Sequence, residues 1–207
     1  MSNLRLLIVE SQGFGIYRRD PSLDLPDSLR YLYWWGYPLE FLPPNFSPEN
    51  LLELHMPNSK VKKLWKEDQI LVNLEVIDLH DSEYLTEVPN LSGSLKIVHI
   101  NLGGCKSLVE IPCSVGFLSL EVLDLKYSGI LEIPDSLVCS TLRSLSLSGT
   151  KITSIPASIK QASRLFKLNI VCCKRLQSLP ELPVRCNVKA QGCNSLKTVS
   201  NSRTALT

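Results

Sequence analysis

Leu74-Glu-Val-Ile77-Asp-Leu79-His-Asp-Ser82, followed by Leu85, Val88 and Pro89, sets a template that governs nearly the whole chain. It returns as Ile97, Ile100, Leu102, Cys105, Leu108, Ile111, Pro112, then as Leu120, Leu123, Leu125, Ser128, Ile130, Ile133, Pro134. Two more copies open at Leu142 and Leu165, and three earlier ones open at Leu4, Leu29 and Leu51. The successive steps are 25, 22, 23, 23, 23, 22 and 23 residues. In L-x-x-L-x-L the last two apolar residues alternate with polar ones, the pattern of a short strand with one buried face. The Ile-Pro or Leu-Pro step then turns the chain back, because proline fixes its own φ and restricts the residue before it.

A period of this length lies in the leucine-rich-repeat range. The expected fold is therefore an α/β repeat: a leucine-rich-repeat solenoid of about nine units of ~23 residues. A curved parallel sheet lines its concave side, and irregular or short 3-10 segments form its convex side. A unit of this size cannot bury its apolar side alone, so neighbouring units share one core. A ninth, weaker copy runs through Val188, Ala190, Cys193, Leu196 and Val199. Residues 1–199 read as one domain and residues 200–207 as a polar tail.

Composition narrows the function classes. Of 207 residues, 44% are hydrophobic and 20% charged, which excludes disorder. The 22 basic and 20 acidic residues are interleaved, so the basic clustering of a nucleic-acid binder is missing. The longest apolar runs, such as Leu6 to Val9, fall far short of the ~20 residues of a membrane-spanning helix. No signal peptide is recognisable at the N-terminus. Seven cysteines with no C-x-x-C pair fit a reducing compartment, the cytoplasm or the nucleus, better than a disulfide framework. The sequons Asn45-Phe-Ser47 and Asn90-Leu-Ser92 point the other way, but matter only in a secreted chain.

The residue three places after each strand is Ser59, Ser82, Cys105, Ser128, Thr150, Cys173 or Cys193, small and polar every time. A hydroxyl or thiol there can satisfy backbone groups left unpaired by the bend. The spacing of Cys172, Cys173, Cys186 and Cys193 matches no usual zinc finger or ribbon. The three histidines are read as lying in strand segments, and no Ser-His-Asp or Cys-His constellation emerges. The expectation is a non-enzymatic domain with no cofactor and no metal.

Leu51-Leu-Glu-Leu-His-Met-Pro-Asn-Ser-Lys-Val-Lys-Lys-Leu-Trp65 resembles a signature of the leucine-rich-repeat region in plant intracellular immune receptors of the TIR nucleotide-binding class. Leu25-Pro-Asp-Ser-Leu-Arg-Tyr-Leu-Tyr-Trp34, Tyr37-Pro-Leu-Glu-Phe-Leu-Pro43, Asn101-Leu-Gly-Gly-Cys105 and Gln191-Gly-Cys-Asn-Ser-Leu196 resemble that family as well. The likeness includes Trp34, Tyr37, Met56 and Trp65, read as residues outside the generic repeat core. It implies a sensor arm that recognises a pathogen effector or an effector-modified host protein. It also implies an autoinhibitory contact with nucleotide-binding and TIR domains of a parent receptor. No G-x-x-x-x-G-K-[ST] phosphate loop occurs in the chain, which therefore reads as a fragment or a truncated relative. The alternative is a free-standing intracellular scaffold or adaptor.

Residues flanking the buried pair of each strand point to the concave face, the surface such solenoids use for protein partners. The candidates are Tyr31, Tyr33 and Trp35; Glu53 and His55; Asp78 and His80; His99 and Asn101; Asp124 and Lys126; Lys167 and Asn169. The aromatic trio is of the type enriched at interaction hot spots. His55 and Asp78 sit at equivalent positions and are expected to meet laterally. The basic run Lys60, Lys62, Lys63 and Lys66 is expected on the edge and convex side, as a solvated surface.

Overall fold

A computed structural model of the chain describes residues 3–10, 24–65, 69, 71–89, 91, 94–111 and 118–199. Lys66, Pro112, Asn90 and Ser92 of the second sequon, and the tail 200–207 lie outside the described residues. Nine short strands form one parallel sheet in the order β1 to β8 and then β10. They are β1 (Leu6–Val9), β2 (Tyr31–Trp34), β3 (Glu53–His55), β4 (Val76–Asp78), β5 (His99–Asn101), β6 (Val122–Asp124), β7 (Ser144–Ser146), β8 (Lys167–Asn169) and β10 (Asn187–Lys189). The middle residue of each three-residue strand is buried, whereas its neighbours are partly or fully exposed. That alternation turns one face of the sheet to the core and the other to solvent.

Leu54, Ile77, Ile100, Leu123, Leu145, Leu168 and Val188 stack in register between units and are all essentially inaccessible. The second apolar residue of each strand motif, such as Leu79, Leu102, Leu125 and Leu147, forms a parallel buried row. The connections carry 3-10 turns at Asp135–Leu137 and Ala157–Gln161, each opening directly after a proline. A second small sheet pairs β9 (Ser178–Leu179) with β11 (Thr198–Val199) in parallel, away from the main sheet.

Trp34, Tyr37, Met56 and Trp65 are buried, which corrects their reading as residues outside the core. Trp34 and Tyr37 meet edge to face at 5.1 Å, and the Tyr37 hydroxyl donates to the Phe41 carbonyl at 2.9 Å. These large side chains fill the core of the N-terminal units.

The small polar positions form an internal ladder. Ser82 Oγ donates to the Met56 carbonyl and contacts Ser59 Oγ at 2.9 Å. Cys105, Cys173 and Cys193 thiols donate to the carbonyls of Leu79, Leu147 and Ile170 in the preceding unit. Ser128 and Thr150 hydroxyls donate within their own units, to Leu125 and Leu147. Each acceptor is the carbonyl at which a strand ends and the chain bends away.

The turn after each main-sheet strand from β2 to β10 repeats one backbone conformation. Gly36, Asn58, Asp81, Gly104, Tyr127, Gly149, Cys172 and Gly192 occupy the same position in eight successive units, and all have positive φ. The amide of each from Asn58 to Cys172 donates to a carbonyl in the next unit, so the parallel ladder continues past the strands. The left-handed residue aims that amide sideways and repeats the bend in every unit.

Candidate functional site

The solvent face of the main sheet, the face predicted to be concave, carries two unbroken rows of side chains. One runs Leu6, Tyr31, Glu53, Val76, His99, Val122, Ser144, Lys167, Asn187. The other runs Ile8, Tyr33, His55, Asp78, Asn101, Asp124, Ser146, Asn169, Lys189. Trp35, His80 and Lys126 continue the alternation two residues past the second row. Every residue nominated from the sequence lies on these lines. His80 is corrected in one respect: it falls in the turn after β4 rather than in a strand.

Sequence reasoning missed both ends of the rows. Leu6 and Ile8 on β1 are each 54% exposed and extend the aromatic end of Tyr31, Tyr33 and Trp35. Asn187 and Lys189 extend the other end, in the unit whose template is weakest. The signal that could have found them is the alternation itself, continued one strand further in each direction.

The centre of the face is a chain of ionisable groups. His55 Nε2 meets Glu53 Oε2 at 2.9 Å, and its Nδ1 stands 3.9 Å from Asp78 Oδ2. Asp78 Oδ1 accepts from the His80 backbone amide at 3.1 Å and meets His80 Nδ1 at 2.8 Å. The His55 ring also lies 5.2 Å from the Tyr31 ring and 6.3 Å from the Tyr33 ring. Asp78, then Glu53, raise the His55 pKa above its ordinary value, although burial opposes them. Burial alone would raise the Asp78 carboxyl, but the nearby His55 ring and the hydrogen bonds from His80 outweigh it and hold it at about 2. Together these groups form a continuous chain of polar contacts across β3 and β4.

Asp78, Asn101, Asp124 and Asn169 share a local device. Each accepts, through its side-chain oxygen, the backbone amide two residues on: His80, Gly103, Lys126 and Val171. This Asx turn closes the strand, so these residues have a structural duty whatever else they contact. In the two asparagines it engages the oxygen and leaves the NH2 group as the free end.

The remaining candidates resolve as structure. Lys62 pairs with Glu40 at 2.8 Å and Lys63 with Glu87 at 3.1 Å, bridging adjacent units. Burial pushes the Cys105 thiol up to about 12, and raises Cys173 as well, so both remain protonated donors in the internal ladder. Among the described residues, no group of three or more His, Cys, Asp or Glu side chains is placed to hold a metal ion. No helix among them is long and apolar enough to cross a membrane.

Comparison with known proteins agrees with this architecture. Family models described as Leucine Rich Repeat match residues 50–69 and 141–162. The chain is 37% identical over 77% of its length to the disease resistance protein RPP2A of Arabidopsis thaliana. It is 31% identical over 88% of its length to disease resistance protein RML1A, and 35% identical over 84% to disease resistance protein RPS4B, both of the same organism. It spans 14%, 21% and 15% of the length of these three relatives.

Proposed function

This chain is a leucine-rich-repeat region of the plant disease-resistance type, and we propose that it is the protein-sensing arm of an intracellular immune receptor. In that role the solvent face of its sheet binds a pathogen effector or an effector-modified host protein. The observation that carries the reading is the pair of unbroken rows across nine strands. They present aromatic, acidic, hydroxyl and basic side chains in a fixed order on a rigid backbone, while the core residues beneath them account for the fold. The function is one of interaction rather than catalysis.

The aromatic end has a second part in this proposal. Leu6 and Ile8 stand on β1, the first strand of the sheet, beside Tyr31 and Tyr33. This exposed apolar end is where a nucleotide-binding domain of the parent receptor would pack and be held inactive. Effector binding farther along the same face would then compete with that contact.

The test is made in the native full-length polypeptide, expressed in leaf tissue with and without the matching effector. Tyr33→Ala with Asp124→Ala should abolish the effector-dependent response at unchanged protein abundance. Leu6→Asp with Ile8→Asp should release a response without effector. A response unaltered by both pairs would overturn the reading and leave a scaffold whose face is not the sensor.

A further inference from the structure

The charges of the sheet face are distributed in a way that selects a partner chemistry. In the first two thirds of the face the charged side chains are met by neighbours: Glu53 and Asp78 by the His55 and His80 rings, and Asp124 by Lys126 at 3.4 Å. In the last third they are not. Lys167 on β8 and Lys189 on β10 are exposed, and among the described residues neither ammonium has a carboxylate within ion-pair distance. The strand register sets Lys167 between Ser144 and Asn187, and Lys189 beside Asn169.

The neutral neighbours reinforce the same sign. Asn169 spends its side-chain oxygen on the Val171 amide, so its NH2 group is what it offers outward. Ser144 and Ser146 are small, so a bound chain can approach the sheet closely, and their hydroxyls can turn to donate. The surface over β7, β8 and β10 thus offers two cations without a carboxylate partner among the described residues, with amide and hydroxyl donors around them. Carboxylates satisfy both demands at once: they compensate the charge and accept the bonds.

We infer that this C-terminal third of the sheet face docks an acidic segment of a partner protein, lying across the strands with its carboxylates over Lys167 and Lys189. The inference rests on the proposed reading of the sheet face as a protein-binding surface and adds the chemistry of what binds at one end of it. A segment crossing these strands meets the lysines at two separate strands, so its acidic residues must be spaced rather than adjacent.

The experiment uses the purified native polypeptide and a fluorescent peptide of alternating Glu and Ser, with a Lys and Ser peptide of equal length as the opposite probe. Fluorescence anisotropy should show binding of the acidic probe only, weakening as salt is added. Lys167→Glu with Lys189→Glu should weaken it roughly tenfold or more. Lys151→Glu with Lys160→Glu makes the same change in net charge on the connection between β7 and β8, and should leave binding within about twofold. Absence of binding, or equal losses in the two double variants, overturns the acidic-segment inference. If the Tyr33 and Asp124 pair abolishes the effector response while the Lys167 and Lys189 pair leaves it intact, the inference falls and the sensor reading stands. If neither pair changes the response, both fall.

Discussion

The Tyr127 ring lies over Gly149 of the next unit, in the space a side chain at 149 would need. A β-carbon there would overlap Tyr127 Cδ1 and Cε1. Asp81 stands over Gly104, and Cys172 over Gly192, in the same relation. A side chain held at positive φ thus leans onto a glycine held at positive φ one unit later. The pairing explains why glycine and larger residues alternate at this position from Asp81 onward.

Gly149→Ala should therefore be costly for two reasons. Gly149 has φ of +70, which alanine adopts only with strain, and the Tyr127 ring blocks the new methyl. The expected loss is roughly 1–3 kcal/mol in chemical denaturation. Combining it with Tyr127→Ala removes the overlap but not the strain, so the two changes should cost less together than their separate losses added. Strict additivity would show that the ring does not block the site.

Burial separates the two faces of each strand clearly enough to test by stability. Leu102 and Leu125 are almost wholly inaccessible, and either change to alanine should cost about 2–5 kcal/mol. Ser146, between Leu145 and Leu147 but on the solvent side, should tolerate alanine within about 0.5 kcal/mol. Thermal unfolding of the three variants measures this. Similar losses in all three would mean the two faces are wrongly assigned.

The strand register was legible because its signal is a spacing. Leu29, Leu51, Leu74 and their successors recur at nearly constant intervals, and each strand of the main sheet lies where that spacing predicts. The left-handed turn position was not legible, because Gly, Asn, Asp, Tyr and Cys all fill it. What they share is a backbone angle set by the stacking of units, not a side-chain property. The sheet of β9 and β11 escaped for a related reason: strands of two residues are too short to show an alternation. On the candidate face the alternation revealed which side chains are exposed. The Asx turns at Asp78, Asn101, Asp124 and Asn169 needed backbone geometry to be seen.

The His55 and Asp78 pair predicts opposite pH dependences. Because the His55 pKa is raised, its contribution is fully present below the unfolded value of 6.5 and disappears as pH rises through the folded value above it. The Asp78 value is depressed from 3.8 to about 2, so its contribution is present above 3.8 and is lost as pH falls toward 2. Melting temperature followed from about pH 5 to about pH 9 should fall across neutrality in the native protein and flatten in His55→Asn. Asp78→Asn keeps the acceptor for the His80 amide but removes the charge, and should cost on the order of 2 kcal/mol at neutral pH. A profile across neutrality identical in the native protein and His55→Asn would show that the histidine is not held by these acids.

The cysteines divide by environment, and alkylation can read the division directly. Cys105 and Cys173 are buried, burial raises both thiols, and each donates its hydrogen to a carbonyl of the preceding unit. A thiolate is the reactive species, and these two are neither exposed nor ionised near neutral pH. Cys172 is exposed at the neighbouring turn, one residue from Cys173. Brief treatment with iodoacetamide near neutral pH, followed by peptide mass analysis, should label Cys172 well before Cys105 and Cys173. Cys105 and Cys173 should react only when denaturant unfolds the stack. Because a solenoid unfolds through its neighbour interfaces, Leu125→Ala should expose Cys105 at lower denaturant than in the native protein. Labelling of Cys105 as fast as Cys172 in the native state would show that the ladder of small polar side chains is open to solvent rather than part of the core.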